Sequence, residues 1–378
     1  MRRSLRIVRL VMLVACALVA GAMTLRAQSL PPRPELDRGA DPNDWSAYFD
    51  FGVKKLKTRP TEAEAAFIWA SQLAPDRAEP LFARWVAFHR RDYKRWVDYL
   101  RDDAKTLDDR AVQQADSVRA LAFVRNPFVY EGLEIILYDQ LPGYWGTDEF
   151  TKGWLAYAAL DFPHAADFFA RAIAHQPDRM WGVHMLRATA FVQMHRLDSA
   201  MTEVEAMRAA VEQYNAARTR AYESKEMLDY AIGLLCAARG RTADAEDAMR
   251  NALTENLAFA PGHFALGDFE LKQGHVDSAL TEYAQAVQLD STDAVLLAHQ
   301  GTALLHAGRA AESVAALRRA TQLAPYYAAP WFTLGQALEA TGDRAQAARA
   351  YATFVARAPR SDVLLGPARA KVAQAGSQ

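Results

Sequence analysis

Along Ala265–Val287, "ALGDFELKQGHVDSALTEYAQAV", small and apolar positions recur at helical spacing with polar residues between them. The pattern predicts a first helix, a turn at Gly274, and a second helix with Ala279, Tyr283 and Ala286 on one face. Two glycines stand in this stretch, Gly267 and Gly274, although glycine costs about 1 kcal/mol relative to alanine inside a helix. An internal repeat explains them. The Gly267 position returns every 34 residues as Gly233, Gly301 and Gly335, and the Gly274 position as Gly240, Gly308 and Gly342. The same step aligns Ala245, Ala279, Ser313 and Ala347, then Met249, Tyr283, Leu317 and Tyr351, then Ala252, Ala286, Ala320 and Phe354. Late in the units stand Leu257, Ser291, Pro325 and Pro359.

Each column has a physical reason. The first glycine removes a side chain where two helices come closest, and the second caps the first helix in the left-handed region. The alanines of the second helix permit close packing, and the large residue between them fills the core. The late proline cannot continue the second helix and sets the turn into the next unit. A period of 34 with these columns points to a helix–turn–helix solenoid.

The sequence here resembles the tetratricopeptide repeat (TPR) family. "WFTLGQALEATGDRAQAARAYATFVARAP" supplies Trp331, Leu334, Gly335, Leu338, Gly342, Ala347, Tyr351 and Pro359 at the family's spacing, with Phe354 in place of the usual alanine. The resemblance implies an all-α, right-handed superhelical solenoid of six to nine antiparallel helix pairs. Units start near 146, 181, 226, 260, 294 and 328, so that 146–361 reads as the TPR solenoid. Gly153, Ala165, Phe169, Ala172 and Pro177 mark the first of these. "HRLDSAMTEV" repeats the turn of "GHVDSALTEY" with His195 in the glycine's place. The unit near 181 carries 11 extra residues, expected as lengthened helix after Ala206. Residues 44–145 read as degenerate repeats starting at Asp44, Ala78 and Val112. Residues 362–378 read as a capping helix and tail, the helix lying near Asp362–Leu365 and broken by Pro367.

The N-terminus carries a different signal. "MRRSLRIVR" is basic, Leu10–Met23 is an apolar run of 14 residues, and "LRAQ" offers a cleavage site after Ala27. The run falls short of the ~20 residues that cross a bilayer as a helix. Residues 1–27 are therefore expected to be a signal peptide, giving a periplasmic or secreted protein of a bacterium, and 28–43 a flexible, Pro-rich linker. "LVAC" also resembles a lipobox, which leaves lipidation at Cys16 open, as well as an uncleaved anchor. Membrane contact is expected only through these routes. Cys16 and Cys236 are the only cysteines, so removal of 1–27 leaves no intramolecular disulfide.

Net charge is −1 over 378 residues, which gives no nucleic-acid footprint. No phosphate loop, GxGxxG, HExxH, CxxC or GxSxG is present, and the carboxylates read as solvated helix faces. No metal site and no cofactor are expected, since His299 and His306 stand roughly 10 Å apart along one helix. The chain is expected not to be an enzyme.

The TPR resemblance implies that first helices line a groove. The groove positions carry Phe150, Trp154 and Tyr157; Met185 and Leu186; Tyr230 and Leu234; Phe264, Asp268 and Lys272; His299, Thr302 and His306; and Phe332, Thr333, Gln336 and Glu339. The aromatics among them either anchor a partner or pack between helices, and Asp268 and Lys272 either face a partner or pair at i,i+4. A carboxylate clamp is missing, because its positions hold Tyr230, Leu234, His299, Ala329 and Thr333. The expected function is a non-catalytic scaffold binding a protein or peptide in the cell envelope. The alternatives are a lipoprotein subunit of an envelope assembly machine, and a glycan-binding or enzyme-associated protein using Asn126–Gly146.

Overall fold

A computed structural model describes residues 30–92, 110–129, 133, 148–175, 182–217 and 223–376. Among these residues the regular elements are all helices. In chain order they are α1 (Trp45–Leu56), α2 (Pro60–Leu73), α3 (Ala78–Arg91), α4 (Arg110–Arg125), α5 (Glu149–Ala158), α6 (Phe162–His175), α7 (Val183–Gln193), α8 (Leu197–Ala216) and α9 (Glu226–Ala238). There follow α10 (Thr242–Glu255), α11 (Ala260–Lys272), α12 (Val276–Leu289), α13 (Ala294–His306), α14 (Ala310–Leu323), α15 (Ala329–Ala340), α16 (Arg344–Arg357) and α17 (Leu365–Gly376). From α5 onward the helices pack as consecutive hairpins, the right-handed solenoid of antiparallel helix pairs that the repeat implies. The chain forms two compact units. One takes residues 56–61 and the described parts of 81–257; the other takes 30–55, 62–80 and 258–376.

The first glycine column sets the distance within each hairpin. A Cβ on Gly267 would lie 2.9 Å from the Tyr283 ring, and one on Gly335 would lie 2.7 Å from Tyr351. Gly301 meets Leu317 at 2.6 Å, and in the other unit Gly233 meets Met249 at 2.5 Å and Gly153 meets Phe169 at 2.6 Å. Each side chain of the large column lies over a glycine and is fully buried. The first hairpin repeats the device with Gly52 against Phe67. That pair is 15 residues apart instead of 16, so the frame starting at Asp44 slips by one residue in α1.

The second glycine column ends the first helices. Gly240, Gly274, Gly308 and Gly342 all have positive φ, between 72° and 85°. The next residue's N–H then reaches the carbonyl five residues back, as in His275→Glu270 and Asp343→Leu338, both 2.9 Å. The same bond forms at Asp161→Ala156 and Arg196→Phe191. There the left-handed residues are Leu160 (φ 61°) and His195 (φ 57°), both exposed. The hairpin turn thus forces side-chain-bearing residues into a region that glycine enters without strain.

The lengthened helix after Ala206 is present, since α8 runs for 20 residues where its counterpart α12 has 14. α3 begins at Ala78, and α4 begins two residues before Val112. The second helices expected for those two units, and most of Asn126–Gly146, lie outside the described residues. Pro367 does not break the terminal helix. It sits in the first turn of α17, where a helix has no backbone N–H bond to lose. Phe354 takes the alanine position without a clash, because α17 covers it with Leu365, Ala368 and Val372. Residues 30–43 differ from the flexible linker expected of them. Leu30 and Leu36 pack with Tyr48, Trp69, Leu73 and Tyr326, since an apolar pair in a proline-stiffened segment loses little entropy on docking.

Replacing Leu160 or His195 by glycine is expected to stabilise the protein by about 0.5–1 kcal/mol each, read as a higher urea midpoint. A lower midpoint for both variants would contradict the strain described at these turns.

Candidate partner-binding surface

The first-helix positions behave differently in the two units. In the unit containing α5–α10, Phe150 and Trp154 are half-buried and meet edge to face at 5.7 Å, with Phe150 also 6.2 Å from Phe169. Tyr157 is fully buried against Phe162, at 5.0 Å. Met185 and Leu186 are buried, and Leu234 is half-buried. Tyr230 is buried, and its hydroxyl donates to the Val124 carbonyl of α4 at 2.9 Å. Tyr157, Met185, Leu186 and Tyr230 therefore fill space between helices and offer no surface to a partner. Their apolar bodies gain more from burial, at ~25 cal/mol per Å², than from facing solvent.

This unit also buries carboxylates that sequence reading placed on solvated faces. Glu203 accepts from Arg187 at 2.5 Å and pairs with His184 at 2.7 Å. Asp229 accepts from Arg208 Nε at 2.6 Å. Burial pushes the Asp229 carboxyl upward while Arg208 pulls it down. Burial likewise raises Glu226, whose carboxylate accepts from the Ser224 hydroxyl. These pairs join α7 to α8 and α8 to α9. The signal for them was Glu226 and Asp229 three apart on the predicted first helix, with Arg208 one helix earlier.

In the other unit α11, α13 and α15 bring groove candidates to one face. Phe264 is half-buried, 4.8 Å from the His299 ring and 6.1 Å from Tyr283. Asp268 accepts from the Tyr283 hydroxyl and pairs with His299 Nδ1 at 2.9 Å. Burial raises the Tyr283 hydroxyl, and the Asp268 charge raises it further, so it remains a proton donor. One carboxylate thus joins a core tyrosine to an imidazole on the next repeat. It forms no ion pair with Lys272, so the i,i+4 pair is absent; Lys272 is exposed. His306 and Gln336 are exposed, and Thr302 and Thr333 are half-buried. Phe332 packs against Tyr351 and Phe354 at 5.5 and 5.3 Å. Glu339 accepts from the Tyr351 hydroxyl and from Lys371 of α17, each at 2.9 Å.

What the face can do chemically is bind. It offers an imidazole held in one orientation, an ammonium, an amide and two half-exposed phenyl rings. Among the described residues no group of three His, Cys, Asp or Glu side chains is placed to hold a metal ion. Possible lipidation at Cys16 lies outside the described residues; Cys236 is a buried free thiol.

These recurring close approaches and caps define a repeat solenoid, and a tetratricopeptide repeat family model matches residues 264–328. The chain is a TPR protein. Similar solved structures include YrrB, described as a TPR protein with an unusual peptide-binding site. It has 18% identity and a TM-score of 0.43, covering 55% of this chain and 100% of that one. MamA from Desulfovibrio magneticus RS-1 has 15% identity and a TM-score of 0.40, covering 46% and 92%. The C-terminal part of a TPR repeat-containing protein from Cytophaga hutchinsonii has 15% identity and a TM-score of 0.45, covering 55% and 78%. No curated protein matches the chain.

Proposed function

We propose that the chain is a non-catalytic scaffold that binds a protein or peptide on the face formed by α11, α13 and α15. The observation that carries this reading is the Tyr283–Asp268–His299 network. It holds a polar group in place across two repeats, and preorganisation of that kind lowers the cost of binding. Lys272, His306 and Gln336 support it further, being exposed at adjacent first-helix positions. An extended peptide suits such a row, since it offers side chains and backbone groups at regular intervals. The scaffold works in the cell envelope after export, a reading supported by the basic start, the short apolar run and the site after Ala27.

A tiled array of peptides from the host's envelope proteins, probed with the full chain, is expected to give bound spots. Replacing Lys272, His306 and Gln336 together by alanine should weaken them about tenfold, equivalent to ~1.4 kcal/mol, with an unchanged circular-dichroism spectrum. A blank array, or one equally bright with the variant, would sink the reading. For export, the intact mass of the protein purified from its own host should begin at Gln28. A diacylated start at Cys16 would replace that route with lipoprotein anchoring, and a chain retaining Met1 in the cytosol would remove it.

A further inference from the structure

The segment Leu30-Pro31-Pro32-Arg33-Pro34 belongs to no repeat. Each proline fixes its own φ near −65°. Leu30, Pro31 and Arg33 each precede a proline and are thereby pushed out of the helical region. The five residues favour a polyproline II strand whose carbonyls have no internal partner.

This strand lies on three rings of one compact unit: Tyr48 of α1, Trp69 of α2, and Tyr326 in the turn between α14 and α15. The Trp69 indole Nε1–H donates to the Pro31 carbonyl at 2.8 Å. The Arg33 guanidinium stands 4.4 Å from the Trp69 ring centroid and 5.7 Å from those of Tyr48 and Tyr326. Trp69 and Tyr326 meet edge to face at 4.9 Å, and Leu30 and Leu36 pack beside them. Downstream, Asn43 Nδ2 donates to the Ala356 carbonyl at 3.0 Å, and the Arg360 N–H donates to Asp41 Oδ2 at 2.6 Å.

Helix stacking does not require these rings. Trp69 stands where later repeats carry Gln285, Arg319 and Thr353, all polar or charged. What the rings supply is a known kind of recognition: an aromatic groove, an indole N–H for a proline-rich backbone carbonyl, and a ring face for a cation.

We propose that Tyr48, Trp69 and Tyr326 form a binding groove for arginine-bearing, proline-rich peptides, filled in this chain by its own residues 30–34. The covalent tether gives the strap an effective concentration in the millimolar range. It therefore outcompetes a free peptide of equal intrinsic affinity until that peptide is abundant, multivalent or better matched. A partner carrying such a segment displaces the strap and takes its place on the rings. This groove is separate from the α11–α13–α15 face and stands whether or not that face binds a peptide.

The test uses the full chain and a fluorescently labelled peptide of sequence LPPRPEL, followed by anisotropy. Wild type is expected to bind weakly, because the strap competes. The combined Pro31→Ser, Arg33→Ala, Pro34→Ser variant should bind at least tenfold more tightly, and Trp69→Phe added to it should abolish the gain. A peptide with its prolines replaced by alanine should not bind. Arg33→Ala alone guards against misfolding, since Arg33 is an exposed side chain; it should raise the affinity severalfold at an unchanged circular-dichroism spectrum. Affinity unchanged by Arg33→Ala, or binding to the strap variant that survives Trp69→Phe, would overturn the proposal.

Discussion

The fold depends on one missing atom per repeat. Gly267, Gly301 and Gly335 carry no Cβ, and the Tyr283, Leu317 and Tyr351 side chains lie where that atom would stand. Two helices that close exclude water from the large side chain and fix the distance across the hairpin. Where that side chain is tyrosine, its hydroxyl emerges on the first helix. Tyr283 reaches Asp268, and Tyr351 reaches Glu339. The packing device and the polar surface are therefore parts of one arrangement. Asp268 faces His299 because a buried ring two turns of chain away holds it there. Leu317, in the repeat between them, supplies no hydroxyl, and His299 takes its partner from the preceding repeat instead.

Much of the fold was legible because its rules are local and periodic. The glycine, alanine and tyrosine columns each report a contact between residues a fixed distance apart, so a step of 34 exposed them. His195 was legible as a substitute for the turn glycine, whereas Leu160 carried no compositional hint of its left-handed conformation. The one-residue slip at Gly52 escaped the fixed step because the first hairpin turn is shorter. The surface was less legible. Position in a first helix does not distinguish a side chain facing solvent from one covered by another segment. Tyr230 is covered because α4 lies against it, and no rule of spacing within the repeat announces α4. Residues 30–43 misled for a related reason. Their proline content reads as a free tether, but Leu30, Arg33 and Leu36 are side chains with something to bury or stack upon.

The two surfaces follow from different uses of the same scaffold. The α11–α13–α15 face takes its polar groups from within the repeats and is held by repeat-to-repeat hydrogen bonds. The ring groove takes Trp69 from an N-terminal hairpin and Tyr326 from an inter-repeat turn, and so joins parts of the chain far apart in sequence. A solenoid tolerates both because each unit rests mainly on its neighbours, leaving turns and outer positions free to acquire other roles.

The most direct test of the central constraint is the stability of Gly335→Ala, where two effects have opposite signs. Helix propensity alone favours alanine by about 1 kcal/mol. A Cβ 2.7 Å from the Tyr351 ring forces a well-packed side chain aside, at a cost of about 1–3 kcal/mol. The account predicts a net loss in urea unfolding, recovered when Tyr351 is also replaced by leucine. A stability gain for Gly335→Ala alone would contradict it.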